Sequence, residues 1–263
     1  MNNELTPFIW VAITLPILSL LQRWIHRHLH GLAYLLTGNR SWAVILYAII
    51  LFPGVLLHEL SHWIAATILR VRTGSFSILP KTGPDGTIQL GYVEYYKTRS
   101  VGPIRESLIG SAPLITGTAV VLLIAFRIFD VNALAEAIQT GEVNRLVDAL
   151  AALFATDDFL AWLYLLFAIS NAMMPSASDR RAWPAFAVIM LLFALVLFLL
   201  GLQDDLVNTL AGPAATVFGH LGLAYSLTIG VDIFFMVIIS LLERLIGRLR
   251  GVEIVYGQPD SGP

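Results

Sequence analysis

The chain contains no cysteine, so disulfide bonds and thiolate metal ligands are both excluded. Charged residues are also scarce, at 13% of 263 residues, whereas a soluble domain usually carries about 25%. Hydrophobic residues make up 57% of the chain, and the mean hydropathy is +0.77. A surface facing water needs more charge than this. The composition therefore predicts a multi-pass protein in contact with a lipid bilayer.

Two further absences narrow the possible partners and processing. The net charge is −2, and the chain has no basic tail or acidic tract, so nothing indicates a nucleic acid partner. Residues 1–7 contain no Lys or Arg, so the first apolar run lacks the basic region that precedes it in a cleaved signal peptide. That run is expected to remain as a membrane segment.

Six apolar segments approach the roughly 20 residues that a spanning helix needs. They are Pro7–Leu21, Trp42–Leu69, Ile104–Phe126, Phe159–Met174, Trp183–Leu200 and Leu221–Leu242. The predicted fold class is thus an all-α polytopic membrane protein with about six transmembrane helices. Residues 1–263 are predicted to form a single membrane-embedded domain, with its core at 42–182 and C-terminal helices at 183–250.

Three connecting stretches differ in character. Gln22–Arg40 is basic and contains histidines, and it is predicted to lie flat on the membrane or to dip into it. Asp130–Asp158 is an acidic, amphipathic connector. Val71–Arg99 is rich in β-branched and aromatic residues, and the tripeptide Pro84 to Gly86 is typical of a turn. A small membrane-associated β-hairpin or sheet is therefore expected after the second helix.

The distribution of Lys and Arg predicts the orientation. With six crossings and both termini in the cytoplasm, eleven of these residues face the cytoplasm and five face the other side. This count places Gln22–Arg40 outside and Arg244, Arg248 and Arg250 inside. The predicted location is a prokaryotic plasma membrane with both termini cytoplasmic.

Residues 58–62 read His-Glu-Leu-Ser-His, which is the HExxH pattern. On a helix His58 and His62 share a face and can bind one zinc ion, and Glu59 can take a proton from water at that ion. From residue 42 to residue 69 these three are the only acidic, basic or histidine residues. A carboxylate near the centre of a spanning helix costs roughly 2.5–3.5 kcal/mol. A buried polar cluster joining two helices would explain the burial but not the spacing.

A catalytic zinc ion usually takes three protein ligands and one water, so a third ligand is needed. The fourth predicted helix runs parallel to the second, and its C-terminal end is expected at the depth of His58. Asp179 follows that end, after Pro175, which interrupts a regular helix. Asp179 is therefore a candidate ligand, and the alternative is an interfacial aspartate paired with Arg180 or Arg181.

Three other residues compete with Asp179 for the ligand role. Asp232 lies inside the sixth predicted helix and is expected to form a hydrogen bond between helices. His220 precedes that helix and is expected on the outer side, too far away. Glu243 adjoins an arginine at the boundary and is expected to be a solvated charge.

With these motifs, the chain resembles the site-2 protease family of intramembrane zinc metalloproteases over roughly residues 42–182. The HExxH motif carries the first part of the resemblance. Gly110–Gly117 is similar to the family's small-residue segment that packs beside the catalytic helix, and simple helix packing explains the same residues. Asn171–Asp179 stands in the place of the family's Asn-Pro-Asp-Gly element, although its spacing differs and an arginine replaces the glycine.

The resemblance implies hydrolysis of peptide bonds within or near transmembrane segments of substrate proteins, with Zn²⁺ as the cofactor. It makes His58, His62 and Asp179 the zinc ligands. Glu59 becomes the catalytic base, and Asn171 or a nearby backbone group is expected to orient the substrate.

Residues 86–96 are expected to offer a strand edge with which an extended substrate pairs. The alternative is a surface hairpin that Tyr92, Tyr95 and Tyr96 anchor at the membrane interface. Two other functions compete with proteolysis. A membrane scaffold or binding protein could keep a metal site without hydrolysis, but it would not need Glu59. A metal transporter would need ionisable residues through several helices; the first and fifth predicted helices lack them, and the third has them only at its start.

Overall fold

The computed structural model describes residues 5–78, 80–82, 88–95, 101–201, 203–252 and 254–256. Over these residues the chain is mainly helical, with eight α-helices and four short strands. In chain order they are α1 (Thr6–Thr37), α2 (Arg40–Ile68), β1 (Thr73–Ser77), β2 (Lys81–Thr82), β3 (Ile88–Gln89), β4 (Tyr92–Tyr95), α3 (Pro103–Leu123), α4 (Val131–Thr140), α5 (Val143–Phe154), α6 (Phe159–Ser170), α7 (Trp183–Leu199) and α8 (Gln203–Arg250). A π-helical segment, Ile124–Ile128, continues α3.

The long apolar helices fit an integral membrane protein, as predicted. Within the described ranges, four helices are long and apolar enough to cross a membrane, namely α1, α2, α3 with its π-helical extension, and α8. Helices α5 and α6 meet at an angle of 88° and make a fifth candidate if they are counted as one broken span. The apolar helix α7 has only 17 residues. The predicted number of six spans is therefore not confirmed.

Helix α1 is longer than predicted. The sequence predicted that its span ends at Leu21 and that Gln22–Arg40 lies on the membrane or dips into it, but the helix continues to Thr37. Ile25 and Leu29 are buried in the main core against α2, α6 and α8. Their helical spacing keeps an apolar face directed at the core, so this stretch packs inside the bundle.

A tight turn joins α1 to α2. Gly38 ends α1 in the left-handed region, at φ 65°. The Asn39 side chain then accepts hydrogen bonds from the backbone N–H groups of Ser41 and Trp42, which caps the start of α2. Because the turn is so short, α1 and α2 form an antiparallel pair.

Helix α8 runs alongside α1 in the same direction. Trp10 Nε1 donates to Ser226 Oγ (3.0 Å), and Arg250 Nη2 donates to the Leu36 carbonyl (2.8 Å), so residue numbers rise together along both helices. The C-terminal end of α8 therefore lies at the turn between α1 and α2.

This pairing removes the charge-count support for the predicted orientation. The charge count put Gln22–Arg40 and the arginines at 244, 248 and 250 on opposite faces, whereas Arg250 contacts Leu36. Moving those three arginines changes the count from eleven against five to eight against eight. The count then favours neither orientation. It no longer supports the prediction that both termini are cytoplasmic.

Helix α6 is shorter than the predicted segment Phe159–Met174. It ends at Ser170 and has 12 residues, about 18 Å of helix against a hydrocarbon core of about 30 Å. The connector predicted before it forms the two helices α4 and α5. Gly54 allows the end of α6 to approach α2, because a Cβ atom there would overlap with the Ala168 carbonyl.

The predicted β structure after α2 is confirmed as short antiparallel pairs. The backbone leaves α2 through Arg70, whose φ of 56° lies in the left-handed region. Strand β1 pairs with β4, with Ser77 opposite Tyr92, and β2 pairs with β3. The predicted turn at Pro84 to Gly86 lies outside the described residues.

Candidate metal centre

Two histidines of α2 face each other one helical turn apart. Nε2 of His58 lies 3.2 Å from Nε2 of His62, and the ring planes are inclined at 80°. Residues four apart on a helix project from the same side, so the spacing of the HExxH motif produces this arrangement. Both rings lie in the half of α2 that is remote from the α1–α2 turn.

Backbone carbonyls fix both imidazole rings. His58 Nδ1 lies 2.6 Å from the Ala172 carbonyl, and His62 Nδ1 lies 2.9 Å from the Ile109 carbonyl. A carbonyl oxygen only accepts, so each Nδ1 carries a proton, and Nε2 is the ring nitrogen left to bind a metal ion. Metal-binding histidines are held in this way, with the second ring nitrogen donating to a carbonyl or carboxylate.

Asp179 reaches the same point from the loop between α6 and α7. Its Oδ1 lies 3.3 Å from His62 Nε2, and its Oδ2 lies 3.8 Å from His58 Nε2. The backbone N–H and the hydroxyl of Ser176 both donate to Asp179 Oδ2, at 2.7 Å and 2.6 Å. Gly110 of α3 allows this loop to approach, because a Cβ atom there would overlap with the Asp179 carbonyl.

The Asp179 carboxyl is anionic at neutral pH. Burial alone would raise its pKa, but the hydrogen bond and charge interaction with His62 and the two hydrogen bonds from Ser176 lower the pKa to about 2. Arg180, the predicted alternative partner, donates through Nε to the Ser176 carbonyl instead. The carboxylate therefore brings a full negative charge to the two histidines.

These three side chains fit a divalent metal ion. Their donor atoms all lie within 4.8 Å of one another. At zinc bond lengths, tetrahedral ligands stand about 3.3–3.6 Å apart. The two Nε2 atoms are 3.2 Å apart, and Nε2 of His62 lies 3.3 Å from Asp179 Oδ1, whereas Nε2 of His58 lies 3.8 Å from the other oxygen, Oδ2. Two imidazole nitrogens and a carboxylate thus converge where a cation would be favoured. This donor set suits zinc and other first-row divalent ions.

Glu59 lies beside this cluster in a cavity of about 700 Å³. Its side chain is largely buried, with the residue 7% exposed. Gly91 packs directly against it, because a Cβ atom at that position would lie 2.8 Å from Glu59 Cγ. Residues 90–93 form one wall of the cavity, and residues 171–172, 174 and 176–179 form another.

Asn171 lines the cavity but is only 2% exposed. Its Nδ2 donates to Asp232 Oδ1 (2.8 Å) and to the Phe167 carbonyl (2.9 Å). These bonds tie the end of α6 to α8. A contact between Asn171 and a substrate stays a prediction.

The other ligand candidates lie elsewhere. Asp232 forms hydrogen bonds between α6 and α8, which confirms its predicted role. His220 stacks edge-on against Phe126, with ring centroids 5.4 Å apart, and does not belong to the cluster. The prediction that Glu243 is a solvated charge is wrong, because its side chain is 14% exposed and pairs with His28 at 2.8 Å.

Sequence reasoning missed two polar residues of the cavity. His26 Nδ1 lies 2.6 Å from the Tyr47 hydroxyl, and both side chains line the cavity that holds Glu59. His26 had been assigned to a stretch on the membrane surface. The helical spacing of Ile25 and Leu29 was the signal that α1 continues through it.

No protein-family model matches this chain, and no curated protein or solved structure matches it either. The resemblance to the site-2 protease family thus stays a prediction from the three motifs. A functional assignment depends on the geometry of the site.

Proposed function

We propose that this chain is an intramembrane zinc metalloprotease of the site-2 type, which hydrolyses peptide bonds within or near transmembrane segments of other proteins. One observation carries the proposal. His58, His62 and Asp179 converge on one point with both Nδ1 atoms tied to carbonyls, and Glu59 lies in the same cavity. In this proposal the protein lies in a prokaryotic plasma membrane.

The chemistry divides between the metal and the chain. His58, His62 and Asp179 would hold the ion. When bound, zinc supplies Lewis acidity toward the scissile carbonyl and toward water. Glu59 accepts the proton of the attacking water and returns it to the leaving amine. Its place in the cavity beside Gly91 keeps the carboxylate next to the scissile bond.

The β structure supports a way to present the substrate. Strand β4 pairs with β1 in a two-stranded sheet, and residues 90–93 line the cavity beside Glu59. A peptide added along this segment would be extended, so its carbonyls would be available for attack instead of being bonded within a helix. The sheet thus offers more than an interfacial anchor.

Metal transport is a weaker alternative than proteolysis, although one of the arguments against it from the sequence fails. The predicted first span lacked ionisable residues, but α1 carries His26 into the cavity. The absence of ionisable residues from the first helix is therefore no longer an argument against transport. Helix α7 still contains no ionisable residue, and transport gives no role to the HExxH glutamate, whereas hydrolysis requires it.

The decisive test is the substitution Glu59→Gln, assayed by cleavage of a single-span membrane substrate in proteoliposomes. Loss of the general base is expected to lower the rate by about 10²- to 10⁴-fold, with bound zinc unchanged. Glu136→Gln, the same change at an exposed position on α4, is the matched control. Undiminished cleavage by the Glu59 variant would contradict the protease proposal. Zinc binding without any cleavage by the native protein would favour a non-hydrolytic scaffold.

A further inference from the structure

A polar cluster lies behind the metal centre, inside the helix bundle. Asp232 of α8 is completely buried, at 0% exposure. Its Oδ1 accepts hydrogen bonds from Ser170 Oγ (3.2 Å) and from Asn171 Nδ2 (2.8 Å). A carboxylate inside a spanning helix is costly to insert, so such residues usually have a functional reason.

The position of this cluster at the end of α6 explains its partners. The last carbonyls of a helix have no partner within the helix, and a bilayer offers no water to satisfy them. Here backbone N–H groups of the following turn donate to the Phe167 and Ile169 carbonyls, and Gln22 Nε2 donates to the Ser170 carbonyl. Asn171 Nδ2 also donates to the Phe167 carbonyl, at 2.9 Å. Asp232 accepts from the second N–H of Asn171 Nδ2 (2.8 Å) and so holds this side chain in place.

The turn that follows reaches the metal centre directly. Ala172 is the next residue after Asn171, and its carbonyl accepts the hydrogen bond from His58 Nδ1 (2.6 Å). One side of this turn is thus held by Asp232 and the other side by His58. A shift of the turn would move the carbonyl that sets the orientation of the His58 ring.

We infer that Asp232 is a positioning residue for the metal centre. It holds the turn at residues 170–172 so that the Ala172 carbonyl directs His58 Nε2 toward His62 and Asp179. The inference rests on the proposed metal site but not on hydrolysis.

The contacts of Asp232 define variants that can separate this role from that of a simple link between helices. Only one carboxylate oxygen of Asp232 carries the contacts, and Oδ2 has no hydrogen-bond partner among the described residues. An amide oxygen can therefore replace Oδ1, whereas an apolar side chain cannot. A simple link would affect stability alone, while a positioning residue affects the affinity for metal.

The test is titration of the full-length protein in lipid nanodiscs with Co²⁺, followed by its d–d absorption. Asp232→Leu is expected to weaken Co²⁺ binding by about 10- to 100-fold, the range found for groups that orient metal ligands. Asp232→Asn keeps the acceptor oxygen and is expected to bind within about threefold of the native affinity. Leucine suits a spanning helix, so Asp232→Leu is expected to insert normally.

A second variant and a control complete the experiment. Gln22→Leu removes the donor to the Ser170 carbonyl and is expected to weaken Co²⁺ binding in the same direction. Thr118→Val breaks another buried contact between helices, from Thr118 Oγ1 to the Tyr225 hydroxyl at 3.0 Å. It is expected to lower the unfolding temperature without changing Co²⁺ affinity.

Native affinity in both Asp232→Leu and Gln22→Leu would overturn the inference while leaving the metal site intact. Failure of the native protein to bind Co²⁺ would instead contradict the proposed metal centre, and the inference with it.

Discussion

Among the described residues, two clusters combine histidine with a carboxylate, and they differ in how their polar atoms are arranged. At the α2 site, the Nε2 atoms of His58 and His62 and the oxygens of Asp179 all face one point. Between α1 and α8, Glu243 accepts from His28 Nδ1 at 2.8 Å and from the Tyr256 hydroxyl. Two protein donors thus satisfy the carboxylate of the second cluster, whereas the first cluster gathers three potential metal ligands.

The comparison shows that proximity of histidine and acid does not define a metal site. Burial and the adjacent Glu243 carboxylate raise the pKa of Tyr256 above its ordinary value, so its hydroxyl stays a donor at neutral pH. At α2 backbone carbonyls accept the Nδ1 protons of both rings, so the Nε2 atoms are directed at each other and at Asp179. The arrangement of donors and acceptors therefore makes the α2 cluster the candidate cation site.

The largest difference between the clusters is expected from removing one histidine in each. His62→Ala should weaken zinc binding by more than about 100-fold, beyond the range for groups that only orient a ligand. His28→Ala should leave the zinc affinity unchanged. Competition with a chromogenic chelator measures both values. Equal zinc affinities in the two variants would show that the two clusters do not differ in metal binding.

The next largest effect is expected from removing the negative charge of Asp179, the proposed third ligand. Asp179→Asn keeps the shape of the side chain but replaces an anionic oxygen with a neutral amide, so zinc affinity should fall by about 10- to 100-fold. Glu243→Gln makes the same chemical change in the other cluster and should not alter zinc affinity. Zinc bound per protein after dialysis is the measurement. Full retention by the Asp179 variant would exclude this carboxylate as a ligand.

A smaller effect is expected where the sheet meets Glu59, the proposed catalytic base. A Cβ atom at residue 91 would lie 2.8 Å from Glu59 Cγ and 3.0 Å from Glu59 Oε1. Gly91→Ala should displace Glu59 and slow substrate cleavage by about 10-fold, since small misplacements of catalytic groups are costly. Zinc affinity should not change. Gly102→Ala adds a methyl group where no atom lies within 4 Å, and it should cleave at the native rate.

The smallest effect is expected in the cluster that needs no ion. Tyr256→Phe removes one hydrogen bond to Glu243 and should lower the free energy of unfolding by about 1 kcal/mol. Zinc affinity and cleavage should stay at native values. Denaturation in mild detergent measures the first quantity, and a change in zinc affinity would show that the two clusters are coupled.

Local patterns in the sequence predicted the part of the site that depends on one helix. The spacing of His58 and His62 places their rings together, because helical periodicity is a local property. Asp179 was placed at the right depth by the parallel course of two helices, although α6 proved to be shorter than expected.

The errors concern contacts between elements far apart in the chain. Nothing near Glu243 indicates that His28, 215 residues earlier, is its partner. The side-by-side course of α1 and α8 likewise comes from tertiary packing, and it reversed the face assigned to Arg250. Charge counting could not detect it, because it assumes that each apolar segment simply crosses and returns.

The premature end of α6 has an electrostatic consequence for the metal centre. Peptide dipoles along a helix add up to roughly half a negative charge at the C-terminal end. Helix α6 ends at Ser170, and the carbonyl of Ala172, just beyond it, contacts His58. The macrodipole of α6 therefore lowers the electrostatic potential at the two histidines, and it favours a cation there by up to about 2 kcal/mol in a partly buried setting.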